Sequence, residues 1–578
     1  MRPFRLFLAE KPSLARAIAE ALPGPRARRD GYIECGADDV VAWCTGHILE
    51  LASPDAYDPR FKEWRAEDLP IVPDRWALVP TAPDLLKTIK ALLPRAARVI
   101  HAGDPDREGQ LLVDEVLEYL GYRGPVDRVL ISDLSPPAVR SALAALQSNA
   151  KFRGLYEAAL ARQRADWLFG INLTRLYTAL GRAGGYDGVL SVGRVQTPLL
   201  GLVVRRDAEI ETFQPTTYFV VTAVVGCDGA TFGATWQPPR NAAAPLVDGD
   251  RRLVSREHAL GLKVKIGRQR GSVVRCTREK KIEAPPLPYS LPDLQMDAAK
   301  RLGLTARQTL DACQALYETH RLLTYPRSDC SYLPEGHLDH ATAVLAAVAT
   351  NLSELAPVVS TADRSRRSRA WNDKKVTAHH AIIPTIIGAP DAPLSAAERK
   401  VYDLVARRYV AQFLPSLEFN ETRIELDIDG ERFRVLGRQT LAEGWRRLLS
   451  VTPPVEQVKD DDQPDAAAGD QSLPFLRDGE PIVCQEASVA EGKTKPPKRF
   501  TDATLLEAMT GISRFVDDPK IKQRLRETDG IGHPPRRRIS SRCSSNAGSS
   551  RGAAGRSSRP RSAARSSRCF PRSLHGPT

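Results

Sequence analysis

Arg98-Val-Ile-His-Ala-Gly-Asp-Pro-Asp-Arg-Glu-Gly109 reads as a strand that runs into a turn and then a helix. Val99, Ile100 and Ala102 form a short apolar run, and Gly103 with Pro105 breaks it. Leu112, Val113, Val116, Leu117 and Leu120 then share one helical face until Gly121 stops the helix. Asp104, Asp106 and Glu108 therefore sit together at a strand-to-helix turn. Carboxylates this close repel one another unless a cation neutralises them. Two would serve as a plain acidic helix cap; three at alternate positions favour a metal, and oxygen-only donors suit Mg²⁺.

A second turn of the same kind opens the chain. Arg5-Leu-Phe-Leu-Ala9 reads as a buried strand, Glu10-Lys11-Pro12-Ser13 as the turn, with Ser13 the expected N-cap. Leu14, Ile18 and Leu22 recur at helical spacing until Pro23-Gly24. Glu10 and Lys11 thus fall in the crevice where open α/β sheets carry their sites, although a surface ion pair would look the same locally.

The third stretch is His320-Arg-Leu-Leu-Thr-Tyr-Pro-Arg-Ser-Asp-Cys330. Pro326 disfavours helix at Tyr325 and forces a turn, and Arg327 follows at once. Most Tyr-Pro pairs are only structural turns. A phenol beside a guanidinium is also the pair that attack on a phosphodiester requires, the oxygen as nucleophile and the planar fork on the phosphate.

At 578 residues the chain calls for about three or four domains. It has no run of eighteen apolar residues and no secretory h-region, and its nine cysteines contain no Cys-x-x-Cys pair. These features point to a cytoplasmic protein without a membrane span. The net charge of +13 says little about partners: eleven arginines and no Asp, Glu or Lys lie in His533–Thr578, leaving 13 − 11 = +2 for residues 1–532.

Residues 155–182 read as a long helix in which Arg164, Trp167, Ile171, Arg175, Thr178 and Arg182 line one face. That face is either a solvated arginine stripe or a track for a phosphate backbone with an indole to stack on a base. From Tyr218 to about Val274, and again over Phe419–Leu436, alternation predicts β-segments, and residues 285–415 between them read as helical. A helical domain inserted through paired strands is the simplest organisation. His379 and His380 are adjacent, hence a poor metal pair, though one could orient a phosphate. Glu491-Gly-Lys-Thr494 resembles the end of a Walker A loop, but Ala487 stands where that motif needs glycine, so no nucleotide site is expected.

Taken together, Leu8-Ala-Glu-Lys-Pro-Ser13, His101-Ala-Gly-Asp-Pro-Asp-Arg-Glu-Gly109, Ala165-Asp-Trp-Leu-Phe-Gly-Ile-Asn172, Ser191-Val-Gly-Arg-Val-Gln-Thr-Pro198, Leu323-Thr-Tyr-Pro-Arg-Ser-Asp-Cys330, Ala378-His-His-Ala-Ile-Ile-Pro-Thr385 and Arg499-Phe-Thr-Asp-Ala-Thr504 resemble a type IA DNA topoisomerase, most closely the bacterial topoisomerase III branch. The resemblance implies a multidomain α/β, α and β fold: a Toprim α/β domain on a toroidal core, with an irregular C-terminal tail. It implies a Toprim domain at 1–150 and a helical DNA-binding base at 151–215 and 486–532. A β-rich hinge or arch would fall at 216–280 and 405–485, and an inserted helical domain carrying the tyrosine at 281–404. Tyr325 would be the nucleophile and Arg327 would hold the covalent phosphate. Glu10 would be the acid/base and a metal neighbour, Lys11 would lie on the scissile phosphate, and His379 would help orient the site. Asp104 and Asp106 would bind Mg²⁺, and Glu108 would complete the acidic set. Ser191, Val192, Gly193, Arg194, Val195 and Gln196, with Trp64, Trp167, Arg175 and Arg182, would line a single-strand groove. The implied activity is ATP-independent, Mg²⁺-dependent cleavage of single-stranded DNA through a 5′-phosphotyrosine, then strand passage and religation. The implied enzyme is a monomer at the nucleoid, with a helicase as a further partner.

The resemblance ends after Thr528-Asp-Gly-Ile-Gly532. Residues 533–578, rich in Ser, Arg, Pro, Gly and Ala, cannot build a core. They read as a disordered basic tail or as the product of a frameshift, since Arg542–Ser550 can be back-translated to an amphipathic segment in another frame. Two rivals stand beside the topoisomerase: a Toprim-type nuclease, which would not need Tyr325, and an inactive, C-terminally truncated DNA-binding remnant.

Overall fold

The computed structural model describes residues 3–227, 229–242, 244–376, 379–390, 392–449 and 473–526. The expected tail at 533–578 and most of the linker around 453–481 lie outside the described residues. The chain forms two compact units. The first comprises Met1–Leu202, Gln314–Tyr325 and the described part of Thr504–Thr578; the second comprises Val203–Cys313 and Pro326–Ala503.

The first unit is built on β1 (Phe4–Ala9), whose Leu6, Phe7 and Leu8 are at most 1% exposed. An unbroken apolar run of this kind suits a strand covered on both faces. It lies between β4 (Asp39–Trp43) and β7 (Ala96–Ala102), parallel to both, and β8 (Val126–Arg128) extends the parallel set. β2 (Arg26–Arg29), β3 (Tyr32–Cys35) and β9 (Gln147–Ser148) add antiparallel edges, giving the order β2-β3-β4-β1-β7-β8-β9. A separate two-stranded pair, β5 (Leu49–Leu51) and β6 (Leu78–Pro80), lies outside this sheet. Phe7 and Ala9 face one layer, where helices Pro12–Ala21 and Pro136–Ala144 contribute Leu14, Ile18 and Val139. Leu6 and Leu8 face the other, with Leu86, Ile89, Leu112 and Val116 from helices Pro83–Leu92 and Arg107–Tyr119. Each of these leucine, isoleucine, valine and phenylalanine side chains contributes about 1.5–3 kcal/mol on burial. The helix after β1 starts at Pro12, with Lys11 as its N-cap and no side-chain cap, so Ser13 sits inside the first turn and not before it.

The second unit is a closed barrel. β10 (Thr217–Cys227), β11 (Ala230–Trp236), β12 (Arg270–Glu283), β13 (Leu417–Ile428), β14 (Glu431–Ala442) and β15 (Pro481–Lys493) close in the order β10-β11-β14-β13-β12-β15. Alternate residues, including Phe219, Val221, Ala223, Val225, Ile424, Leu426 and Phe433, fill its interior. The chain departs on β12 and returns on β13, which pair antiparallel from Gly271↔Ile428 to Glu283↔Leu417. Between them lie helices Leu291–Leu302, Ala306–Glu318, Ala341–Asn351 and Ala396–Val410. β15 corrects one expectation. Residues 486–493, read as the start of a helical segment, are barrel strand paired with β10, with a register shift at Val224/Val225. Ala487, Ser488 and Gly492 blunt the apolar alternation there, which hid the strand from a pattern reading.

Candidate active site

The register of the sheet brings two turns together. Ala9 is level with Ala102 in the parallel β1–β7 pair, so Glu10 and Asp104 leave the sheet side by side. The Glu10 N–H donates to Ala102 O at 3.2 Å, and Glu10 Oε2 accepts from the Asp104 N–H at 3.1 Å. Both side chains are buried, at 0% and 2% exposure. Lys11 Nζ stands 2.8 Å from Asp104 Oδ2 and 4.0 Å from Glu10 Oε1. Asp106 caps the following helix, its Oδ1 accepting from the Gly109 N–H at 2.7 Å; the cap and the acid are one residue. Gly103 and Gly109 permit this close turn. A Cβ on Gly103 would lie 2.2 Å from Gly109 O, and one on Gly109 would lie 2.3 Å from Asp104 O.

Glu108 is not brought into this cluster. One residue further into the helix, its carboxylate turns toward Arg162 at 3.6 Å and His47 at 3.9 Å. Among the described residues, no three His, Cys, Asp or Glu side chains converge as a metal shell. The donor chemistry nonetheless fits a hard cation. Two buried carboxylates need a neutralising partner, the Lys11 ammonium already stands between them, and the donors are the oxygen type that Mg²⁺ takes.

The tyrosine lies in the same unit. Leu322 and Leu323 are fully buried, and Arg321, at φ +56°, makes a two-pronged ion pair with Glu20 of helix Pro12–Ala21 at 2.7 and 3.0 Å. The Tyr325 N–H donates to Ser132 O at 2.9 Å. Its ring is 2% exposed, meets Tyr317 edge-on with centroids 5.8 Å apart, and has Lys11 Nζ 5.4 Å from its centroid. Tyr317, Tyr325, Ala102 and Val139 belong to one core cluster. Burial pushes the Tyr317 hydroxyl well above the usual phenol range. Arg327 and His379 belong to the second unit. There Pro326 and Arg327 form the expected turn, and His379 is 4% exposed. The ring of neighbouring His380 packs against His337 at 4.5 Å, and burial pushes His380 down to about 3.

The expected single-strand face behaves differently from its sequence pattern. Helix Arg153–Ala183 runs 31 residues, but its basic face is partly covered by the stretch 53–77, which holds only short helical turns. Asn172 holds both backbone groups of Ile71, at 2.6 and 2.9 Å. Trp167 donates to Ala52 O at 3.1 Å and is met edge-on by Tyr57 and Trp76. Arg175 is 6% exposed, donates to Phe61 O at 2.7 Å, and lies 5.3 Å from the centroid of Trp64; Arg182 lies at 5.9 Å. Trp167 and Arg175 are therefore held within the fold, and partly buried Trp64 is clasped by two guanidinia. In the segment 191–196, Val192 and Val195 are core side chains at 9% and 4% exposure. Ser191, Arg194 and Gln196 are exposed: Gln196 donates to Ser191 Oγ, and Arg194 pairs with Asp166 at 2.9 Å. Gly193 donates its N–H to Thr197 Oγ1. The pattern reading missed Asn172, Tyr57, Trp76 and Ser132, and it missed a buried network of His101, Gln110, Asp114, Arg128 and Asn149 behind the acidic edge. The one signal for the last was a lone arginine inside the apolar-flanked run Val126-Asp-Arg-Val-Leu-Ile131.

A mostly parallel sheet whose adjacent strand ends carry a buried carboxylate pair and a lysine fits a Toprim-type domain, and the Tyr325 segment docks on that edge. The Toprim domain family matches residues 5–134, and the family described as DNA topoisomerase matches residues 150–537. DNA topoisomerase 3 of Pasteurella multocida is 48% identical over 549 residues, spanning 91% of this chain and 82% of that protein. The enzyme of the same name from Salmonella typhimurium is 50% identical over 535 residues, covering 91% and 80%. Full-length topoisomerase I from Thermotoga maritima shares the fold, with a TM-score of 0.60 at 21% identity over 90% of this chain and 77% of that one. The chain belongs to the bacterial type IA DNA topoisomerases, in the topoisomerase III branch.

Proposed function

We propose that the chain cuts one strand of DNA through Tyr325, holds the 5′-phosphate as a phosphotyrosine while another strand passes, and reseals the break. The observation that carries this reading is the docking of Tyr325 on the acidic edge, its N–H on Ser132 O and its ring beside Lys11. In the forward step the Tyr325 oxygen bonds to phosphorus as the bond from phosphorus to the 3′ oxygen breaks. The phenol proton passes to water, and the 3′ oxygen takes a proton from Glu10 in its acid form. Lys11 carries the scissile phosphate charge, and Arg327 holds the covalent phosphate. His379 orients that phosphate. The ester conserves the energy of the bond it replaces, so resealing needs no ATP.

Glu10, Asp104 and Asp106 are the residues that would hold Mg²⁺, with Glu108 joining them if it parts from Arg162. The ion supplies charge neutralisation where strands approach the carboxylates. At 2% exposure Tyr325 reaches a phosphate only when the Arg321–Tyr325 segment shifts, so opening that contact belongs to the reaction. Trp64, Trp167, Arg182, Ser191, Gly193, Arg194 and Gln196 are the groove residues with exposed or partly exposed surface for a single strand. No helix among the described residues is long and apolar enough to cross a membrane. The reading takes the enzyme as a monomer at the nucleoid, relaxing negative supercoils and decatenating, alone or with a helicase.

The test is incubation with single-stranded DNA followed by denaturation. A protein–DNA adduct that disappears in Tyr325→Phe supports the reading. Free cleavage without an adduct would favour a Toprim nuclease, and binding without cleavage an inactive remnant.

A further inference from the structure

Behind the acidic edge lies a buried cation that the steps above do not use. Arg128 closes β8 level with His101 of β7 and is 1% exposed. Its Nη1 donates to Gly103 O at 2.8 Å and Val129 O at 2.7 Å, with His101 O at 3.3 Å. Its Nη2 donates to Asp104 O at 2.7 Å, and its Nε to Gln110 Oε1 at 2.9 Å. The Gln110 amide donates to Asp114 Oδ2 and Asn149 Oδ1, and the Asn149 amide donates to Asp114 Oδ1, each at 2.8 Å. His101 completes the frame. Its Nδ1 accepts from the Gly103 N–H at 3.2 Å, which leaves the proton on Nε2 to donate to Gln110 O at 3.1 Å. Burial first, then the neighbouring Arg128, holds His101 well below its ordinary value, in keeping with this neutral tautomer.

All the oxygens that Arg128 touches here are neutral, so the guanidinium is a buried charge without a directly bonded carboxylate, a costly arrangement. One neutral donor would fasten one carbonyl. The planar five-donor fork fastens the carbonyls of His101, Gly103 and Asp104 and the Gln110 side chain at once. Gly103 and Gly109 let the loop backbone pack closely, and the Arg128 bonds tie its carbonyls beside the bonds that Glu10 and His101 make to the Asp104 and Gly103 N–H groups. We infer that Arg128 is a positioning residue, fixing the 101–104 loop so that Asp104 and Glu10 present their carboxylates together to a divalent cation. The inference rests on the reading that this edge holds Mg²⁺.

Arg128→Lys keeps the charge but replaces the fork with donors from a single nitrogen. Two readouts that do not depend on turnover decide: the Mg²⁺ concentration that half-saturates the rise in melting temperature, and Mn²⁺ binding followed by electron paramagnetic resonance. Both half-saturation points should rise tenfold to about a hundredfold, the range for a residue that orients a metal ligand, while metal-free binding to single-stranded DNA stays unchanged. Values within about twofold of the unsubstituted chain, far below that range, overturn the inference. Should Arg128→Lys fail to fold by circular dichroism, Gln110→Met decides, because it removes the Nε acceptor, with the amide's bonds to Asp114 and Asn149, and leaves the guanidinium its loop carbonyls. A smaller rise in both points supports the inference, and no rise overturns it. A parent chain that binds neither ion overturns the metal reading and this inference together. Parent binding with unaltered variants overturns the inference alone.

Discussion

Single residues at this site serve two purposes at once. Asp106 caps a helix and stands in the acidic set, and Lys11 both N-caps helix Pro12–Ala21 and neutralises a buried carboxylate pair. Glu10, Lys11, Asp104 and Asp106 were legible in the sequence because a strand, a turn and a helix start are local patterns. Arg128 was not, since its partners are backbone carbonyls from another strand end, which no spacing encodes. Glu115 gives a prediction at this scale. It is 4% exposed on helix Arg107–Tyr119, with the Gln163 amide 3.4 Å from its Oε1, and burial pushes its carboxyl up to about 7. The folded carboxyl holds its proton more tightly than the unfolded one, near 4.5. Stability from this group is therefore full below pH 4.5 and is lost as pH rises to 7. Glu115→Gln should gain about 2–3 kcal/mol on the parent between pH 5 and pH 8.5. Thermal melting across that range checks it; a constant gap between the two proteins would contradict the assignment.

Elements show where local reading stops. The long helix Arg153–Ala183 was predicted from periodicity, but its cover was not, because stretch 53–77 has no period and is held by aromatic and amide contacts. The six barrel strands were partly legible: β10, β13 and β14 alternate clearly, whereas β15 is diluted by small and polar residues. The segment Gln314–Tyr325 is fastened to helix Pro12–Ala21 by the Glu20–Arg321 pair, whose side chains are 41% and 25% exposed. An ion pair at that exposure is worth roughly 0.5–1 kcal/mol, so breaking it should speed opening of the segment about twofold to fivefold. Hydrogen exchange at residues 320–325 should accelerate by that factor in Glu20→Gln and in Arg321→Met. It should return to the parent rate in the doubly reversed Glu20→Arg, Arg321→Glu protein. Unchanged exchange in the single variants would remove the pair from any account of opening.

The whole molecule explains why bulk charge misleads. Most of the +13 resides in His533–Thr578, outside the described residues, so the DNA recognition proposed for the folded part rests on placed groups such as Arg182 and Arg194 and not on bulk charge. The chain passes from the first unit to the second at the Tyr325–Pro326 bond, which puts the proposed nucleophile at the last residue of a segment docked on the acidic edge. No local pattern foretold that docking, because Ser132 and Tyr325 are joined only through the fold. The central claim is that this tyrosine, and no other, takes the phosphate. The direct measurement is mass spectrometry of the proteolysed adduct formed with a single-stranded oligonucleotide of known sequence. A nucleotide joined through its 5′-phosphate to Tyr325 is the predicted result; attachment at another residue, or through a 3′-phosphate, would contradict the account.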